Sequence, residues 1–186
     1  MKSHRSIGLV RVFLVAALCM MTGSAFAADS VTQTVTGGAR SASIADLVLG
    51  TLSYSHDAQV QTGTMTLTAD DSTGTGAGWN VTIEASDFVY SGTAGGADIS
   101  AANFSITTAD APAMTAGMAV DATNGPKVPA SGATGALDSA RKVIQADASY
   151  GLGTYTQDLE TELSLPEQTR AGTYASMLTV TIAAAP

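Results

Sequence analysis

Apolar and polar residues alternate along several stretches of the chain. Trp79, Val81, Ile83 and Ala85 fall on one parity, and Asn80, Thr82 and Glu84 on the other. Met65, Leu67 and Ala69 alternate with Thr64, Thr66 and Thr68, and Tyr174, Ser176, Leu178, Val180 and Ile182 share a parity near the end. A period of two marks a pleated strand with one buried face. The pattern predicts strands near residues 31–36, 43–54, 62–69, 79–86, 103–108, 114–120, 141–148, 154–165 and 173–183. Residues 136–145 also carry a helical spacing through Leu137, Ala140, Arg141 and Ile144, with the extended reading preferred.

Gly, Asp and Ser punctuate these runs. Residues 70–78, DDSTGTGAG, separate two strong strands and read as a hairpin loop. Residues 91–96, Asn124-Gly125-Pro126, Ser131-Gly132 and residues 166–172 are further turns. Short strands with regular turn signals predict an all-β fold. An Ig-like or Greek-key β-sandwich is preferred to a closed barrel.

The first residues break this pattern. Lys2, Arg5 and Arg11 lead into an apolar run from Val12 to Met21, and Ala25-Phe26-Ala27 follows. Charge, apolar core and small residues in that order are expected of a signal peptide over residues 1–27, cleaved after Ala27. The run is too short to cross the ~30 Å of bilayer hydrocarbon as an anchor. The mature domain is then residues 28–186, one domain with no membrane span.

Removing residues 1–27 changes the chemistry. It takes away the only cysteine, Cys19, so neither disulfides nor a thiol site are expected. It leaves five basic and sixteen acidic residues, a net charge of −11. Such a chain repels nucleic acid and anionic lipid. His56 is the only remaining histidine, and no Gly-x-Ser-x-Gly elbow occurs. Glu160 and Glu162 stand two apart on a predicted strand, on one solvated face, and an enzyme is not expected. Asp70, Asp71 and Asp87 offer oxygen to a hard cation, but they match no EF-hand spacing and read as turn formers. No metal or cofactor is expected.

The block Gly74-Thr75-Gly76-Ala77-Gly78-Trp79-Asn80-Val81-Thr82-Ile83, followed by Ala85-Ser86-Asp87-Phe88, resembles the first half of a WxL domain. Residues 99–104, ISAANF, match the expected next strand. The tail from Gly153-Thr154-Tyr155 through residues 163–166 and 171–174 to residues 178–182 also fits. The likeness covers most of residues 30–184. It departs in one respect: a second Trp motif is missing, and Tyr155 or the Asp158-Leu159 region stands where another aromatic is expected. The resemblance implies a secreted protein held non-covalently on peptidoglycan or on partner surface proteins.

Trp79, with Val81 beside it, is the candidate ligand contact, since an aromatic face suits the C–H face of a sugar. The parity it shares with Val81 and Ile83 favours a core role instead. Tyr174 is expected to hydrogen-bond nearby backbone as corner tyrosines do. The alternative to a wall-binding module is a structural subunit of a surface filament or matrix that self-associates, with residues 31–36 pairing to a neighbour's open edge.

Overall fold

The computed structural model describes residues 32–185. The architecture below is that of the unit beginning at Val35. The expected signal peptide at 1–27 lies outside the described residues.

Eleven strands follow in order: β1 (Arg40–Ile44), β2 (Gln59–Asp71), β3 (Trp79–Ala85), β4 (Val89–Ser91), β5 (Phe104–Ala109), β6 (Ala113–Gly117), β7 (Gly135–Ala136), β8 (Arg141–Ala146), β9 (Gly153–Leu165), β10 (Thr173–Ala175) and β11 (Leu178–Ala184). The larger sheet runs β1-β2-β9-β5-β7, with β6 also on β9. The smaller runs β11-β3-β8, and β10 and β4 form a separate ribbon. Neighbours such as β2 with β9 and β3 with β11 are distant in sequence and antiparallel. The unit is an all-β sandwich of Greek-key type.

Alternation explains the core. From β2 and β9 of the larger sheet, Met65, Leu67, Ala69, Tyr155, Leu159 and Leu163 point inward. From the smaller sheet, Trp79, Val81, Ile83, Val143, Ile144 and Ala146 join them in one cluster. Val143 and Ile144 are consecutive yet both buried because the β3–β8 register shifts between Val81 and Thr82. A bulge of this kind turns two neighbouring residues toward one side. The bulge is closed from the opposite sheet: buried Gln157 on β9 donates Nε2 to the Val143 carbonyl at 3.1 Å and to the Asp110 carbonyl at 2.9 Å.

Four expectations need correction. Residues 70–78 are not a hairpin: β2 pairs with β1 and β9, whereas β3 pairs with β11 and β8. The loop carries the chain from one sheet to the other, with Gly74, Gly76 and Gly78 all at positive φ. The strand expected at 43–54 ends at Ile44, because residues 45–58 leave the ladder. No strand occurs at residues 32–36, and the first ladder begins at Arg40. The strand expected at 173–183 is two, β10 and β11. Between them Ser86 Oγ accepts from the Met177 amide at 2.9 Å, and Ser176 Oγ donates to the Ser86 carbonyl at 2.6 Å. The Ser86 amide still donates to the Met177 carbonyl at 2.9 Å, and the serine side chains stand in for the rest of the ladder there. The short β4 and β7 carry too few residues to show a period.

Candidate functional site

Two gatherings of aromatic residues are set against glycines. The first is inside the sandwich. Trp79 opens β3 at 0% exposure, and its Nε1 donates to the Gly151 carbonyl at 2.8 Å. A side chain at Gly151 would meet the indole nitrogen at 2.7 Å, so the loop touches the ring through bare backbone. Tyr155 lies 6.1 Å away between ring centroids, also fully buried, and donates its hydroxyl to the Met118 carbonyl at 2.8 Å. Trp79 therefore ties the β8–β9 connection to β3, and Tyr155 ties the segment after β6 to β9. Val81 is likewise at 0% exposure. Neither Trp79 nor Val81, the pair considered for ligand contact, presents a face to solvent. Tyr155, one of the positions where the resemblance expects a second aromatic, meets Trp79 in the core.

The second gathering is at the β4–β10 ribbon. Tyr90 and Tyr174 pair across it with ring centroids 5.3 Å apart. A Cβ at Gly92, Gly96 or Gly172 would fall within 2.6 Å of the Tyr90 side chain, so three glycines wrap that ring. Its hydroxyl accepts from the Ala94 amide and donates to the Ala171 carbonyl, each at 3.0 Å. Tyr174 donates to the Arg170 carbonyl at 2.8 Å, the corner-type bond expected of it. Burial first, and the Tyr90 phenol second, raise its pKa above the ordinary tyrosine value. It stays a neutral donor at physiological pH.

Beside Tyr174 a cleft of ≈ 330 Å³ opens between the loop before Ile99 and the turn after Pro166. Asp98, Glu167, Arg170 and Tyr174 line it. Asp98 spends Oδ1 on the Tyr90 amide at 2.7 Å. Among the described residues, the Arg170 guanidinium is in neither of the two ion pairs, Arg40–Asp71 and Lys127–Asp147. The cleft thus combines the Tyr174 ring, two carboxylates and a guanidinium outside both described ion pairs. The sequence carried a weak signal for it: Gly-rich turns flanking both tyrosines.

The other candidates are occupied by the fold. Asp71 accepts from Arg40 Nε at 3.1 Å and from the Thr73 amide and hydroxyl at 3.0 and 2.6 Å. Asp70 accepts from the Ser72 and Thr154 hydroxyls, and Asp87 from the Ala101 amide. Each is a turn or cross-strand acceptor, and no cluster of metal-ligating side chains occurs among the described residues. Glu160 faces outward and accepts from the Thr64 hydroxyl at 3.1 Å; Asp158 does the same for Thr66 at 2.7 Å. His56 is exposed and pairs with Tyr54 at the ring edge. No helix among the described residues is long and apolar enough to cross a membrane.

Residues 31–186 match the family described as WxL domain surface cell wall-binding. No curated protein and no solved structure matches the chain.

Proposed function

The chain belongs to the WxL family of surface domains that bind the cell wall, and on that premise we propose that it holds peptidoglycan non-covalently through the cleft beside Tyr174, without catalysis. The family places it outside the cell, at the cell surface. Export with loss of residues 1–27 fits that location, and residues 28–186 are then the working protein.

One observation carries the reading: the cleft brings Asp98, Glu167 and Arg170 to the half-buried Tyr174 ring. Peptidoglycan is a glycan bearing short peptides with free amines and carboxylates. Arg170 suits a carboxylate, Glu167 suits an ammonium, and the ring suits a C–H face. The net charge works against long-range attraction to an anionic wall. Retention must come from short-range contact in the cleft; salt weakens the share of the exposed Glu167 and Arg170 but leaves that of the half-buried Tyr174 ring. The protein should therefore co-sediment with purified peptidoglycan at low and at high salt. Absence from the pellet at both would remove the reading. The same cleft suits a peptide of a partner surface protein, and competition by soluble peptidoglycan fragments separates the two ligands.

A further inference from the structure

β2 has two unlike edges. On one side all 13 of its residues pair with β9. On the other, β1 pairs only with residues 67–71. Among the described residues no strand lies beside residues 59–66 on that side. Residues 45–58 pass nearby but form no backbone–backbone hydrogen bond there. Their Leu47 and Leu49 instead fill the space over Gly63, where a Cβ would stand 3.0 and 2.9 Å from them.

A row of free amides and carbonyls is a template for another strand, and natural edges are usually blunted by charge, proline or a bulge. Residues 59–66, QVQTGTMT, carry no charge and no proline. Their register with β9 is unbroken, and Val60 is 54% exposed.

The chain contains a segment that fits. Residues 31–36, VTQTVT, alternate valine or glutamine with threonine and are uncharged. Residues 32–36 form no strand of their own, and Val35 is 88% exposed. Reach decides whose edge it can use. The Gly38 amide is held on the Ser72 carbonyl at 2.8 Å. Seven residues extend at most ~24 Å from there. Gly63 lies nine strand residues from Ser72, ~30 Å along β2, and β1 already fills the nearer edge. A chain cannot cover its own residues 59–66 with this segment.

We propose that residues 31–36 of one copy add as a strand to residues 59–66 of a second copy. Donor and acceptor are different patches, so the contact is heterologous and propagates. Both patches are uncharged, which spares the contact the repulsion that the net charge imposes elsewhere.

Sedimentation velocity on residues 28–186 over a rising concentration series tests this. The wild type should form oligomers that grow with concentration. Val35→Pro removes a donor amide at an exposed site, and Val60→Lys puts a charge on the edge; each should raise the concentration needed for association by about tenfold or more. Mixed together, the two variants should stop at dimers, because V35P keeps a good edge and V60K a good donor segment. A wild type that stays monomeric throughout would overturn the proposal, as would association that both variants leave intact. Cross-links placing residues 45–58 of the second copy on the edge would overturn the choice of occupant. Peptidoglycan co-sedimentation of V35P, expected to equal wild type, keeps this outcome separate from that of the wall-binding reading.

Discussion

Trp79–Tyr155 and Tyr90–Tyr174 are both aromatic pairs set against glycine-rich loops, and they do opposite things. In the first, both rings are at 0% exposure and each polar handle holds a backbone carbonyl of a connecting loop. In the second, glycines wrap Tyr90 so that Tyr174 and its neighbours are left at the rim of a cleft. Glycine beside an aromatic marks a close approach of backbone to ring. Whether that approach closes a core or frames a site depends on what packs on the ring's other face. Trp79 has the opposite sheet there; Tyr174 has solvent.

The largest effect should fall on the buried pair. Trp79→Ala is expected to cost about 3–5 kcal/mol of unfolding free energy in urea titration. Trp79→Phe keeps most of the apolar area but leaves the Gly151 carbonyl without its indole donor, at about 1–3 kcal/mol. A W79F protein as stable as wild type would break the first half of the comparison. At the ribbon, Gly172→Ala drives a methyl to within 2.3 Å of the Tyr90 ring and 2.9 Å of the Ser91 carbonyl. Overpacking of this kind costs about 1–3 kcal/mol, read as a fall in melting temperature.

Much of the core pair was legible in the sequence, and little of the cleft. Trp79, Val81 and Ile83 share a parity, and parity alone puts them inward. It could not say that the Gly-rich loop before Trp79 changes sheet, because turn signals show where a chain bends and not what it pairs with next. Ser176 kept the parity of Tyr174 and Leu178, so one strand was expected where Ser86 splits two. The cleft escaped because its residues come from two loops, 95–99 and 166–170, distant in sequence and without a period. The outward Thr64 and Glu160 were readable as a solvated face; their pairing required the β2–β9 register.

Smaller effects sharpen the second half. Arg170→Ala removes an exposed side chain with no described ion-pair partner. Peptidoglycan affinity should fall about tenfold, or about 1.4 kcal/mol, with unfolding unchanged within about 0.5 kcal/mol. Equal loss of affinity and stability would mean that Arg170 holds the loop and not the ligand. The smallest effect belongs to neither pair. The Asn124 and Thr123 amides, in that order, draw the Asp121 carboxyl below its ordinary value of 3.8. A depressed folded-state pKa stabilises above the unfolded value and is lost as pH falls through the folded one. Asp121→Asn should flatten the acid limb of the stability profile by lowering the plateau above about pH 4 slightly, and leave stability at more acid pH almost untouched.

The division of labour between the two aromatic pairs is tested most directly by amide and indole NMR shifts during titration with soluble peptidoglycan fragments. Shifts should concentrate at Asp98, Glu167, Arg170 and Tyr174, with the Trp79 indole signal stationary. A moving Trp79 indole with the cleft silent would contradict the account.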